Sequence, residues 1–263
     1  MTILDTELFV LNAKSSEVEV YDSIKFNFSR RWSLRELIQP QDIGSCSRNQ
    51  CLYIIDSKDK SQSKEILRVD PHGKLIKNWS TGDVYGKSLS VTDESNVILA
   101  IYKRNKLSEY SPDGQLVREI NLSSDAGIRS PWHAMEMANG HFVVSHGYHG
   151  DFLNRVCVLD ADGNLIKSFG GQRGSTIGQL NLPVHLSVDG NGFVVVADRE
   201  NSRVLLLDPD LKFKREILSK SKHGLRRPQR ILLDESNGRL FVADNDLTYD
   251  GRILIFEFLR LNT

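Results

Sequence analysis

The sequence predicts an all-β fold, a six-bladed β-propeller of four-stranded antiparallel blades, and three observations predict it. First, a Pro or Gly, a short apolar alternation, a turn rich in Gly, Asn or Ser and a β-branched run recur five times. The copies are PQDIGSCSRNQCLYIID from Pro40, GKSLSVTDESNVILAIY from Gly86, PWHAMEMANGHFVVSH from Pro131, PVHLSVDGNGFVVVAD from Pro183 and PQRILLDESNGRLFVAD from Pro228. Their starts lie 45 to 52 residues apart, the interval of a small sheet repeated in a radial array. Second, a strand followed by a tight turn recurs between them: VYDS (20–23), RVDPHG (68–73), EYSPDG (109–114), VLDADG (158–163), LLDPDL (206–211) and, without its turn, IFEFLR (255–260). Third, the runs alternate with period two, which suits a pleated strand and not a helix.

One unit justifies the count of four strands. Over 183–218, VHLSV alternates, Asp189-Gly190-Asn191-Gly192 turns, and FVVVAD is a β-branched run. Arg199-Glu200-Asn201 turns again, SRVLLLD is the third strand, and KFKREIL alternates basic with apolar residues as an exposed fourth. A blade whose strands become more polar outward is what a propeller requires, and charge on the outermost strand discourages edge-to-edge association. The blades fall at about 1–38, 39–84, 85–128, 129–180, 181–226 and 227–263, read together as one domain. Residues 7–35 supply three strands of the first blade, with no clear innermost strand before Glu7, and the last blade has no clear fourth strand after Arg260. The ring is therefore expected either to close imperfectly or to belong to a longer chain.

Composition sets the functional classes. With 40% apolar and 26% charged residues the chain is expected to be a soluble globular protein. No apolar run has the length of a membrane span. The first residues lack a basic then apolar signal segment, and a cytoplasmic location is expected. Three cysteines cannot form a closed disulfide framework. Cys46 and Cys51 flank a predicted hairpin as a reduced pair, and Cys157 in a β-run reads as a small buried hydrophobe.

The copy at Pro183, with VHLSVD, GNGFVVVAD, Arg199-Glu200-Asn201 and Arg203-Val204, resembles the NHL repeat, as does the copy at 228–256. Those at 40 and 131 match in part and the one at 86 least. This family forms six-bladed propellers at the C-terminus of tripartite-motif proteins. The resemblance implies protein-protein or RNA binding, and ubiquitin-ligase activity only where RING and B-box zinc modules accompany the propeller. This sequence has neither, and it has too few cysteines for such zinc sites.

Site residues divide into two groups. Asp198 and Asp244 end a strand and Arg203 and Arg252 begin the next, an arrangement read as holding the fold. The first strand of each blade should line a central channel, and the residue two after each unit's start should sit at its mouth: Asp42, Ser88, His133, His185 and Arg230. Histidines on adjacent blades make His133 and His185 weak metal candidates, opposed by the cation at Arg230. Amidating lyases of similar architecture use channel histidines around zinc, and lactonase-type propellers hold calcium with carboxylate and amide oxygens. Of the mouth positions only Asp42 is acidic, so neither chemistry has a motif behind it, and no cofactor is expected. His141, His146 and His149 read as solvated loop histidines, Ser145-His146 as strand neighbours pointing to opposite faces, and FGGQRGSTIG (169–178) as a connector.

The formal net charge is zero, which argues against wholesale coating of nucleic acid. Locally, SKSKHGLRRPQR (219–230) concentrates Lys220, Lys222, Arg226, Arg227 and Arg230 without an acid. Together with Lys58, Lys60, Lys64, Lys103, Arg104 and Arg199 from loops between second and third strands, it predicts a basic rim. A protein partner is favoured over single-stranded RNA, because exposed rim aromatics are few (Tyr148, Phe152 and Tyr249) and the net charge is neutral. A metal-dependent lyase or lactonase remains the enzymatic alternative; no membrane association is expected.

Overall fold

A computed structural model describes residues 1–57, 64–82, 86–148, 153–245 and 251–257. Lys58, Lys60, His149, Phe152 and Tyr249 lie outside the described residues. The chain is all-β and of the six-bladed propeller class, with six antiparallel sheets following one another along the sequence. It divides into two compact units, Met1–Glu119 and Ile120–Thr263.

In the first unit, sheet one contains β1 (Thr2–Leu4), β2 (Glu7–Asn12), β3 (Glu17–Asp22) and β4 (Phe28–Ser33). Sheet two contains β5 (Asp42–Cys46), β6 (Cys51–Ser57), β7 (Lys64–Val69) and β8 (Leu75–Ser80). Sheet three contains β9 (Gly86–Val91), β10 (Val97–Ile101), β11 (Lys106–Tyr110) and β12 (Leu116–Asn121), whose last two residues lie past the unit boundary at Glu119. In the second unit, sheet four is β13 (Pro131–Glu136), β14 (Phe142–His146), β15 (Leu153–Leu159) and β16 (Leu165–Gln172). Sheet five is β17 (Pro183–Val188), β18 (Val194–Asp198), β19 (Arg203–Leu207) and β20 (Phe213–Ser219). Sheet six is β21 (Arg227–Asp234), β22 (Arg239–Asn245) and β23 (Arg252–Glu257), three strands among the described residues.

The apolar runs of the second strands follow from burial on both faces. In β18, Val195 and Ala197 pack with Ile231, Leu240 and Val242 of sheet six. Val194 and Val196 face the other way, onto Val143, Val156 and Val158 of sheet four. A strand clamped between neighbours has no wet face and loses the alternation of a half-exposed one. Each such valine contributes about 1.5 to 3 kcal/mol by leaving water. The same stacking joins sheets one and two through Val18, Val20, Ile43 and Ile54, and sheets two and three through Tyr53, Ile55, Leu89 and Leu99.

Hairpin turns also act as spacers between sheets. Gly114 has φ +79°, and a Cβ there would sit 2.6 Å from the Trp79 ring of the preceding sheet. Gly73 has the same relation to Trp32. Turn geometry and close approach both demand glycine, so Gly114→Ala is expected to lower unfolding free energy by roughly 2 kcal/mol. Urea denaturation checks this, and an unchanged midpoint would refute it.

Three readings of the sequence need correction. The first sheet has an innermost strand, β1, whose Thr2 hydroxyl bonds Ser45 Oγ at 2.7 Å. Lys64 is not on a loop: it begins β7, is buried, and donates from Nζ to Ser57 Oγ at 2.7 Å. His146 is not a solvated loop residue but the buried last residue of β14, because Pro131 of the neighbouring strand pairs directly with it. Cys46 and Cys51 are opposite each other in the β5–β6 ladder, and both, like Cys157, are buried free thiols.

Candidate functional site

The innermost strands carry a shared irregularity. In sheets four, five and six the register shifts just after the opening proline, between Pro131 and His133, Pro183 and His185, and Pro228 and Arg230. Proline lacks the N–H of a regular ladder and suits such a bulge, and the bulge re-aims the residue two positions on. In sheet three, Gly86 plays the same part before Ser88.

The re-aimed residues are engaged with the next sheet. In the first unit the Asp42 carboxylate accepts from Ser88 Oγ at 2.6 Å and from the Leu89 N–H at 3.1 Å. In the second unit His133 Nδ1 accepts from the Leu186 N–H at 3.2 Å, and His185 Nδ1 from the Ile231 N–H at 3.5 Å. Each acceptor thus takes the N–H one residue past the equivalent position in the following sheet. Accepting at Nδ1 places the proton of a neutral imidazole on Nε2. The His133 and His185 rings stack 3.9 Å apart at 17°. His185 is held well below the ordinary histidine range, by burial first and then by His133 and Arg230. Arg230 donates to the Gln229 carbonyl at 2.9 Å. The structure therefore pairs Asp42 with Ser88 and His133 with His185. Among the described residues no three His, Cys, Asp or Glu side chains converge on a point where a metal could bind.

A second repeated device closes the second strands of sheets two, five and six. Asp198, fully buried, accepts from the Asn181 N–H, Asn201 Nδ2 and Arg203 Nε, each at 2.7 Å. Asp244 accepts from the Arg226 N–H and Arg252 Nε, both at 2.8 Å. Asp56 accepts from the Ile38 and Gln39 N–H groups at 2.7 Å. Sheet four departs from this pattern. His146 stands at the Asp198 position and Arg155 at that of Arg203, with Arg155 Nε donating to His146 Nε2 at 3.3 Å. Burial, reinforced by the Arg155 charge, pushes His146 down to about 3.

The basic residues fall in both units. Lys103 and Arg104 form an exposed turn between β10 and β11. In the second unit, Lys220 and Lys222 are exposed on a single helical turn after β20. Arg199 and Arg227 share the Glu200 carboxylate as ion pairs, so that part of the predicted positive charge is locally neutralised. Burial and the neighbouring Arg227 lower Arg199 below the usual guanidinium range. Sequence reasoning named Tyr148 as a rim aromatic but overlooked Trp132, which stacks on it, 6.3 Å between ring centres, and donates from Nε1 to the Gly147 carbonyl at 2.6 Å. Tyr148 is 42% exposed and lies near Arg199. A separate pocket on the fifth sheet is lined by Ile177, Gly178, Arg203, Leu205, Phe213 and Glu216.

No protein-family model matches the chain. Among solved structures it is similar to hydrazine synthase of Kuenenia stuttgartiensis, with TM-score 0.65 and 14% identity over 96% of this chain and 94% of that one. It is similar to virginiamycin B lyase from Staphylococcus aureus, with TM-score 0.63 and 10% identity over 97% and 82%. A protein of unknown function from Bacteroides caccae gives TM-score 0.62 at 14% identity over 85% and 83%. At such identities the likeness is one of fold, and the class it defines is the β-propeller.

Proposed function

We propose that the chain is a non-catalytic binding propeller that recognises a protein partner through the loops of its second unit, as the NHL resemblance implies. One observation carries this reading: the Trp132–Tyr148 stack, with Tyr148 near Arg199, and the Arg199–Glu200–Arg227 ion pairs supply Trp, Tyr and Arg, the residue types that dominate protein interfaces. The titratable groups of the inner strands, Asp42, His133 and His185, are meanwhile committed to main-chain N–H groups and serve the scaffold.

Tyr148→Ala, which removes an exposed ring, is expected to weaken partner binding at least tenfold, or about 1.4 kcal/mol, while leaving the urea midpoint unchanged. Quantitative cross-linking capture from cell extract, wild type against variant, measures it. An identical set of captured proteins would refute the assignment. The exposed Lys220 and Lys222 favour RNA as the second reading. Filter binding of single-stranded RNA at low and moderate salt separates the two, since phosphate contacts would give strongly salt-dependent retention.

A further inference from the structure

The connector from sheet four to sheet five is tied down and still holds an apolar side chain in water. Asn201 Nδ2 donates to the Gly174 carbonyl at 2.9 Å, and Arg203 donates to the Ser175 carbonyl at 2.9 Å and to that of Gln179 at 2.8 Å. Within the connector, the Gln179 side-chain oxygen accepts from the Thr176 hydroxyl at 2.8 Å, and the Gly174 N–H donates to the Leu180 carbonyl at 3.1 Å. At its tip Ile177 is 80% exposed. Together with Gly178 it walls a pocket of about 210 Å³ whose remaining lining is Arg203, Leu205, Phe213 and Glu216. The register shows how one strand brings an aromatic ring and a carboxylate to the same side. Phe213 pairs with Leu207, Arg215 with Leu206 and Glu216 with Leu205. Leu205 and Leu207, with Phe213 against them, pack toward sheet four, whereas Leu206 packs toward sheet six. The irregularity at Lys214 therefore puts Phe213 and Glu216 on the face of Leu205 and turns Arg215 to the other.

The place of Glu216 in its strand is occupied in other sheets by residues that find a partner on the strand beside them. In sheet one it is Arg31, which donates to Glu19 at 2.8 Å, and in sheet two Asn78, which donates to Glu65 at 3.3 Å. In sheet three, Leu116-Val117-Arg118-Glu119 aligns with Phe213-Lys214-Arg215-Glu216, and Glu119 accepts from Lys106 Nζ at 2.5 Å. Arg203 opens β19 as Lys106 opens β11. Each of its three side-chain nitrogens donates elsewhere, however, to Asp198, Ser175 and Gln179. Glu216, exposed, is thus left without a hydrogen bond or ion pair among the described residues.

We propose that this pocket receives a lysine side chain of a partner protein. The aliphatic stem lies on Leu205, Phe213 and Ile177, and the ammonium meets the Glu216 carboxylate as Lys106 meets Glu119 within sheet three. A neutral apolar side chain would strip water from Glu216 without replacing it, and an acidic one would be repelled. The Arg203 charge does not oppose the ammonium, because the buried Asp198 carboxylate compensates it at 2.7 Å. The site uses no residue of the Trp132–Tyr148 stack or of the Glu200 ion pairs, so either reading can fail without the other.

The test is a methyl NMR titration of the 263-residue chain with Nα-acetyl-lysine-N-methylamide, followed at the methyl groups of Ile177 and Leu205. Saturable shifts are expected at both. The Nε-acetylated form of the probe, which keeps the stem and lacks the charge, is expected to bind at least fivefold more weakly. Glu216→Gln is expected to erase that preference while leaving the urea midpoint unchanged, since the side chain is exposed and unpaired. The proposal is overturned if neither methyl group moves, if the two probes bind equally to the wild-type chain, or if the variant keeps the preference. A dimer in sedimentation velocity that the lysine probe disperses would assign the pocket to a second copy of this chain and equally overturn it.

Discussion

Lowering the pH from 7.5 to 5.0 is expected to weaken the fold by about 2 kcal/mol through His146 alone. The sign follows from where the proton binds. Folded His146 titrates at about 3 against an ordinary value of 6.5, so the unfolded chain takes up a proton that the folded one refuses. Stability is fully present above pH 6.5 and is lost as the pH falls toward 3, by about 4 to 5 kcal/mol over the whole window. His185, also held low, adds loss of the same sign. His146→Gln isolates the contribution: the amide is neutral throughout and its oxygen can still accept from Arg155 Nε. The difference in urea midpoint between pH 7.5 and 5.0 should shrink in the variant by the His146 share. Equal pH sensitivity in both proteins would show that the imidazole is protonated without unfolding.

Asp198→Ala is expected to cost about 3 to 5 kcal/mol at neutral pH. Three donors converge on this carboxylate, and the Arg203 side chain is only 12% exposed. Truncation removes the counter-charge and the Nε acceptor of a nearly buried guanidinium, which keeps only the Ser175 and Gln179 carbonyls, and leaves the Asn181 N–H without its acceptor. Burial raises the Asp198 pKa despite these donors, so the ionised group is tolerated rather than favoured. The harm therefore comes from orphaned partners more than from a lost attraction. Asp198→Asn, which keeps the shape and one acceptor oxygen, should fall between the two. Equilibrium urea unfolding measures both, and a loss under 1 kcal/mol for the alanine variant would mean that water reaches Arg203.

Local chemistry made much of this architecture readable before any coordinates. Alternation in VHLSV, the glycines of PHG and PDG, and the carboxylate of VVVAD followed by Arg203 each act over a few residues, and each stands in the structure as its chemistry demands. What escaped depended on remote neighbours. Thr2–Leu4 is too short to show a period, and its hydroxyl is held by Ser45 on another strand. His146 sits in SHGYHG, whose glycines read as loop, whereas pairing with Pro131 and the approach of Arg155 make it a strand end. Repeat offsets placed His133 beside His185, yet nothing in one sequence reveals that each ring accepts an N–H from the following sheet. The Trp132–Tyr148 stack likewise joins residues on either side of a hairpin whose closure only tertiary packing fixes.

The three buried sulfhydryls give each unit its own internal clock. Cys46 and Cys51 lie in the first unit and Cys157 in the second. Burial pushes the Cys51 thiol up, and that of Cys157 to about 12, so neither offers appreciable thiolate to an alkylating reagent while its sheet is shut. Modification by iodoacetamide, followed residue by residue in mild denaturant, would time the opening of each half separately. It would thereby tell whether the two halves come apart together or in sequence.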